Sequence, residues 1–166
     1  MRFPDWGEGA PFLRSYNVEK IGVFIDADNI SAEMVEKAIK YLVEIGDIRF
    51  LRAFGNWSHK SSNWKRLVNQ YGVETTHRYN ITRTKNAADI SLAVEATACL
   101  YGSMDFNTLA VVSSDSDFIP LIQHAQACGK HTIGIGSQKA PVSYTRQCGS
   151  FHFLDNQIKN EISVPH

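Results

Sequence analysis

Two pairs of aspartates follow the two most apolar segments of this 166-residue sequence. The pairs are Asp26 with Asp28 after residues 21–25, and Asp115 with Asp117 after residues 108–112. A continuous apolar run of this kind is typical of a strand in the middle of a parallel sheet, covered on both faces. The carboxyl ends of parallel strands share one edge of the sheet, where α/β domains bind ligands. The spacing therefore predicts several carboxylates close together at that edge.

A further aspartate, Asp89, lies in the first turn of a helix predicted over residues 86–100. Clustered carboxylates repel one another and raise one another's pKa, so a fold retains them with a cation or with shared protons. Oxygen ligands without His or Cys favour a hard ion, Mg²⁺ or Mn²⁺ rather than zinc. Such an ion can activate water and offset charge on a phosphate. The alternative is that each aspartate is a turn former or a helix cap.

Strands and helices alternate along the chain around these acids. Strands are predicted at residues 21–25, 48–54, 73–77, 108–112, 131–135 and 151–154. Helices are predicted between Ser31 and Gly46 and at residues 61–71, 86–100 and 118–128. This alternation indicates an α/β fold with a mainly parallel central sheet and helices on both faces. We expect one domain over residues 20–155, an N-terminal arm over 1–19 and a C-terminal tail over 156–166.

Length and composition fit a globular protein outside the membrane. The chain is long enough for one domain with a real core, and no apolar run approaches the roughly 20 residues of a membrane span. A cytoplasmic location is the expectation, and a homodimer is compatible with the sequence. Cys99, Cys128 and Cys148 have no CxxC spacing and are expected to be free thiols. His124 and Cys128 could share a helix face, but two ligands do not make a zinc site.

The segment from residue 49 to residue 85 is strongly basic. It holds eight basic residues against one acid, Glu74, so it carries +7 while the rest of the chain carries −7. Basic residues neutralise phosphates and aromatic rings stack on unpaired bases, which favours single-stranded nucleic acid as the partner. The expected contacts are Trp57, Lys60, Tyr79, Arg83 and Lys85, with Arg83 and Lys85 gripping a phosphate beside the metal.

Four motifs in order carry a family resemblance. They are FIDADNI at residues 24–30, KNAADISLAVEA at 85–96, VVSSDSDFIPLI at 111–122 and GKHTIGIG at 129–136. Together they resemble the NYN domain, the LabA-like branch of the PIN-like nuclease superfamily. The resemblance spans about residues 20–155. It implies a three-layer PIN-like, Rossmann-like fold and a metal-dependent ribonuclease, expected to be an endonuclease that acts on single-stranded RNA.

The resemblance also assigns residues to the site. Asp26, Asp89, Asp115 and Asp117 match the family's acids and would hold Mg²⁺ or Mn²⁺, and Asn29 matches its asparagine. All five are therefore expected to be catalytic. Ser113, which precedes the second acid pair, is expected to contact the nucleic acid. Asp28 falls where the family is variable and ranks below the others.

Two other functions remain open on the sequence. Asp26-Ala27-Asp28 resembles the DxD of haloacid-dehalogenase-like phosphatases, in which the first aspartate is the nucleophile. Against this, Ile30 replaces the usual Thr or Val, and Asp89 would have no role. The third hypothesis is a non-catalytic module that binds RNA or a protein through the same edge.

Overall fold

A six-stranded, entirely parallel sheet runs through the part of the chain that the structure, a computed structural model, describes: residues 18–76 and 87–155. Its strands are β1 (Glu19–Asp26), β2 (Gly46–Phe54), β3 (Glu74–Thr76), β4 (Thr108–Val112), β5 (His131–Gly136) and β6 (Ser150–Phe153). They lie in the order β3-β2-β1-β4-β5-β6. The predicted parallel α/β architecture is confirmed.

Helices cover both faces of this sheet. Within the described ranges they are α1 (Ala32–Ile45), α2 (Ser62–Tyr71), α3 (Ala87–Tyr101), α4 (Ile119–Ala127) and α5 (Val142–Gln147), with 3₁₀ turns at Trp57–His59 and Ser116–Phe118. One buried cluster joins the sheet to α1 and α2, and a second joins its other face to α3, α4 and α5. The structure therefore has three layers. None of the described helices has the length and apolar character needed to cross a membrane.

The two central strands, β1 and β4, are buried because their side chains pack into both clusters. Val23 and Ile25 of β1 point into the α1 and α2 cluster, whereas Phe24 points into the opposite one. In β4, Ala110 and Leu109 divide in the same way. Side chains of a strand alternate between faces, so a strand covered on both sides must be apolar at every position. The two uninterrupted apolar runs of the sequence are explained by this burial.

The strand order reverses between β1 and β4. The chain moves outward from β1 to β2 and β3, then returns through α3 to place β4 on the other side of β1. Ile25 pairs with Val112, so Asp26 and Ser113 leave the sheet side by side. Such a reversal opens a crevice at the carboxyl edge, where this class of sheet binds its ligands.

Local signals account for most helix boundaries. The Ser31 hydroxyl accepts a hydrogen bond from the Met34 N–H at 3.3 Å and starts α1, as predicted. Gly72 ends α2 with a φ of 65°, the left-handed conformation that favours glycine. The helix predicted from residue 118 begins instead as the 3₁₀ turn Ser116–Phe118. Helix α5 was not predicted, because its six residues bury only Tyr144 and show no helical period.

The predicted N-terminal arm and C-terminal tail lie almost entirely outside the described residues. Only Val18 and Glu19 of the arm are described, and Glu19 already belongs to β1. The tail predicted over residues 156–166 is not described at all.

Gly22 in β1 marks a tight approach between β1 and β2. A Cβ added there would lie 2.4 Å from Cζ of the Phe50 ring, closer than real Cβ contacts allow. We predict that Gly22→Ala lowers the free energy of unfolding by about 1–3 kcal/mol through overpacking, measured by urea denaturation. Gly102→Ala is the matched control. Its nearest atom would be 3.4 Å away, and it should change stability by less than about 0.5 kcal/mol. Equal stability of both variants would contradict this view of the β1–β2 packing.

Candidate active site

Asp26 is the buried centre of the acidic edge. It ends β1, is 1% exposed, and its carboxylate accepts hydrogen bonds from two side chains. Asn29 Nδ2 donates to Oδ1 at 3.1 Å and to Oδ2 at 3.0 Å, and Ser113 Oγ donates to Oδ2 at 2.9 Å. A turn places Asn29 there, since its N–H donates to the Asp26 carbonyl at 3.3 Å. These bonds hold one orientation of the carboxylate.

Ser113 connects Asp26 to the second pair of acids. Its hydroxyl oxygen accepts the Asp115 N–H at 3.1 Å while its proton goes to Asp26. Asp115 caps the 3₁₀ turn Ser116–Phe118 and accepts the Asp117 N–H at 2.9 Å. Asp117 is exposed, whereas Asp115 is partly buried. The two predicted pairs of acids therefore meet at the junction of β1 and β4.

Asp89 closes the group from the first turn of α3. Its pKa is raised to about 7, first by burial and then by the negative charges of Asp26 and Asp115. Burial also raises the pKa of Asp26, although the hydrogen bonds from Asn29 and Ser113 oppose that effect. Asp26 and Asp89 are themselves within hydrogen-bonding reach of each other. Near neutral pH the two carboxyl groups can share one proton. A bound cation would replace that proton and neutralise the negative charge of the pair.

The donor set fits a hard divalent cation. Asp26, Asp89, Asp115 and Asp117 offer only carboxylate oxygens, and each of the other three affects the pKa of Asp89. Across residues 18–76 and 87–155, no three His, Cys, Asp or Glu side chains are already gathered at ion-binding spacing. The fixed part of the group is thus the Asp26–Asp89 pair. Asp115 and Asp117 stand at its rim, and their approach would complete an oxygen shell of the kind Mg²⁺ or Mn²⁺ prefers.

Asp28 belongs to a different set of contacts. Its carboxylate accepts the Asn56 N–H at 2.9 Å and a hydrogen bond from Lys60 Nζ at 2.9 Å. Lys60 Nζ also donates to the Ala27 carbonyl at 2.8 Å, and its side chain is only 14% exposed. A contact of Lys60 with nucleic acid stays a prediction, and it would have to compete with these bonds. The charge of Lys60 is used to fasten the loop after β2 to the turn after β1.

Ser113 and Trp57, two other residues expected to contact nucleic acid, make well-defined contacts within the protein. Ser113 is 1% exposed and its hydroxyl both donates to Asp26 and accepts from Asp115, so it positions these two acids; its contact with nucleic acid stays a prediction. Trp57 packs edge-to-face on Trp64 at 5.5 Å, and its Nε1 donates to the Thr76 carbonyl. Trp57 and Trp64 line a cavity of about 280 Å³ together with Lys65. Trp57 therefore lies at a concave surface, and its contact with nucleic acid stays a prediction.

Three further predicted contacts, Tyr79, Arg83 and Lys85, lie outside the described residues.

The end of β5 supports the acidic loop, which the sequence analysis missed. The Ser137 N–H donates to Ser114 Oγ at 2.8 Å and fixes the residue between Ser113 and Asp115. A Cβ on Gly136 would lie 2.5 Å from that oxygen and 2.9 Å from the Ser113 carbonyl. Glycine is needed at position 136 because the backbone passes so close. The signal in the sequence was the GIG of residues 134–136, which ends the last of the four family motifs.

Comparison with known proteins gives three findings. The model of the NYN domain family matches residues 20–155. An uncharacterized protein of Methanocaldococcus jannaschii is 28% identical over 123 residues, which are 72% of this chain and 48% of that protein. The chain thus spans about half the length of this curated relative. A crystal structure of a protein of unknown function from Vibrio parahaemolyticus superposes with a TM-score of 0.67 at 18% identity, covering 84% of this chain and 94% of the other, and shares the fold.

The raised pKa of Asp89 predicts a pH-dependent loss of stability in the metal-free protein. A carboxyl whose folded pKa lies above its unfolded value contributes stability below the unfolded pKa, near 3.8, and loses it as pH rises through about 7. Asp89→Asn removes this loss while keeping a hydrogen-bonding group. In EDTA at about pH 8, we expect its melting temperature to exceed that of the wild type by about 2–4 °C. The gain should shrink below about pH 5, as followed by circular dichroism.

The matched control is Glu95→Gln, the same change of charge on the same helix. It should leave the difference in melting temperature between about pH 5 and about pH 8 as in the wild type. A similar effect in both variants would trace the pH dependence to net charge and not to the Asp26–Asp89 pair.

Proposed function

Because this chain belongs to the NYN domain family, whose members are part of the PIN-like nuclease superfamily, we propose that it is a Mg²⁺- or Mn²⁺-dependent ribonuclease. Its substrate in this proposal is single-stranded RNA, cleaved endonucleolytically. The observation that carries the proposal is the group of Asp26, Asp89 and Asp115 at the strand-order reversal, where burial, and after it the negative charges of Asp26 and Asp115, raise the pKa of Asp89 to about 7. With Asp117 at its rim, this group offers four carboxylates, which suit a hard cation and a phosphate.

Each residue of the site has a distinct part in this proposal. Asp26 and Asp89 form the fixed base of the ligand set, since Asp26 is held by Asn29 and Ser113. Asp115 joins them from the neighbouring strand. Asp117, the exposed member, orients the attacking water or receives its proton. The Asn29 side-chain amide donates to both carboxylate oxygens of Asp26. In the absence of substrate, Asn29 therefore positions the Asp26 carboxylate.

The bound divalent ion would supply positive charge against the phosphate and make water a better nucleophile. The protein's own contribution is to hold the carboxylates before substrate arrives. Burial of Asp26 and its hydrogen bonds with Asn29 and Ser113 reduce the reorganisation that binding requires. In this proposal the water attacks the phosphate at the open carboxyl edge of the sheet, and the cleaved strand leaves from the same edge.

The preference for RNA has less support than the site. Most described basic residues of the 49–85 segment are paired with acids. The pairs are Arg49 with Asp47 and Asp105, Arg52 with Glu74, Lys60 with Asp28, and Arg66 with Glu36. In the described part of this segment, Lys65 makes no such pair, and it lies beside Trp57 and Trp64 at the 280 Å³ cavity. Aromatic rings with an adjacent cation suit an unpaired base and its phosphate.

The phosphatase alternative is disfavoured by the contacts of Asp28. That reaction needs Asp28 as a general acid or base beside Asp26. Here Asp28 is tied to Asn56 and Lys60, while Asp89, which has no role in a phosphatase, is coupled to Asp26.

We predict that Asp26→Asn and Asp115→Asn each lower the rate of RNA cleavage by about 10³-fold or more. Loss of a metal ligand removes several kcal/mol of charge stabilisation in the transition state. The assay uses a fluorescently labelled single-stranded RNA with Mn²⁺ or Mg²⁺, and with EDTA as the metal-free control. Asp28→Asn should retain most of the nuclease activity.

Two outcomes would contradict the proposal. Equal cleavage by the wild type and Asp26→Asn would identify a contaminating nuclease. Phosphatase turnover that is lost in Asp28→Asn, with a phosphoaspartate trapped at Asp26, would establish the alternative enzyme class.

We predict that Lys65→Glu weakens binding of single-stranded RNA severalfold and reduces the slope of log affinity against log salt by about 0.7. Binding is measured by fluorescence anisotropy in the Asp26→Asn background, so that the RNA stays intact. Lys40→Glu is the control, because Lys40 is an exposed lysine of α1 away from the cavity. If both variants bind like the parent, the cavity beside Trp57 is not an RNA contact.

A further inference from the structure

Tyr144 is a buried polar residue that the proposed reaction leaves without a role. It lies on α5, is 0% exposed, and packs its ring edge-to-face on Phe151 at 5.6 Å. Its hydroxyl finds no hydrogen-bond partner among the described residues. Buried hydroxyl groups in native proteins are nearly always hydrogen-bonded, so an unpaired one calls for an explanation.

The helix that carries this hydroxyl packs against the acidic loop. Helix α5 packs against the 3₁₀ turn Ser116–Phe118, and that turn is capped by Asp115. Tyr144 shares its buried cluster with Phe118, the last residue of the turn. Burial raises the pKa of the Tyr144 phenol, and the nearby charges of Cys148, Asp115 and Asp26 raise it further. The phenol is thus close enough to the two carboxylates for their charges to act on it through the protein interior.

Asp26 and Asp115 differ in the donors that the protein gives them. Asp26 accepts from Asn29 and Ser113. Asp115 accepts only the Asp117 N–H among the described residues, on Oδ1. An ionised carboxylate has about four lone-pair sites, and those that face neither a cation nor water need an internal donor. The Tyr144 hydroxyl is an uncommitted donor on that side.

We propose that Tyr144 is a positioning residue for the acidic site, donating a hydrogen bond to the Asp115 carboxylate when a divalent cation holds Asp115 ionised beside Asp26 and Asp89. The inference rests on the proposed metal dependence. Asp115 stands at the rim of the Asp26–Asp89 pair and must approach it to complete the ligand set. In this proposal the cation that holds Asp115 ionised also gives the phenol its acceptor, so the phenol stabilises the cation-bound form.

Tyr144→Phe tests this role, because it removes the hydroxyl and keeps the ring. In EDTA, its melting temperature should equal or exceed that of the wild type, since the lost hydroxyl had no partner. Its affinity for Mn²⁺ should fall about tenfold, the usual effect of removing a group that orients a metal ligand. The full chain is used, with affinity measured by isothermal titration calorimetry of MnCl₂.

Tyr41→Phe is the matched control. Its ring stacks on His152 at 3.7 Å, on the opposite face of the sheet, so Mn²⁺ affinity should stay at the wild-type value. Wild-type affinity in Tyr144→Phe would overturn the inference, as would a stability loss without a change in affinity. A wild type that binds no Mn²⁺ would remove the proposed metal site and this role together. Lower Mn²⁺ affinity in Tyr144→Phe, in a protein that never cleaves RNA, would refute the ribonuclease and leave the Tyr144 role standing.

Discussion

The structure depends on placing the Asp26 carboxylate inside the fold at the end of its central strand. A buried carboxylate is strongly unfavourable unless it is neutralised or fully hydrogen-bonded. Here Asn29, Ser113 and Asp89 surround it, and each comes from a different part of the chain. The pairing of β1 with β4 brings Ser113 alongside, and α3 brings Asp89. The sheet order can thus be understood as the arrangement that assembles this environment.

The layers around the sheet make that arrangement rigid. β1 and β4 contribute to both buried clusters, so neither strand can shift without disturbing two cores. The acids stand at the end of this support, and the close approach of Gly136 to Ser113 and Ser114 fixes the loop that carries Asp115. A rigid backbone of this kind confines the adjustment that cation binding requires to the side chains of the acids.

The sequence predicted the features that local patterns determine. The apolar runs gave β1 and β4, Ser31 and Gly46 bounded α1, and the ordered motifs identified the NYN domain, confirmed over residues 20–155. Local patterns could not reveal partners that lie far away in the chain. Lys60, for example, pairs with Asp28, which lies 32 positions earlier. Among the described basic residues of the 49–85 segment, Arg49 and Arg66 likewise pair with distant acids, Asp105 and Glu36, which composition alone could not reveal. Helix α5 escaped prediction because one buried tyrosine produces no periodicity.

The return of the chain from β3 to β4 has a consequence for biosynthesis. β1 contributes the first acid, but its neighbour at the site follows β4, and the support of that loop comes from β5. A nascent chain emerges from its amino end, so the early strands can pair while the acidic group is still incomplete. No fragment that stops before β4 contains both halves of the group. The site can therefore be completed only after β4 and the loop that follows it have been synthesised, and truncated products that stop earlier lack it.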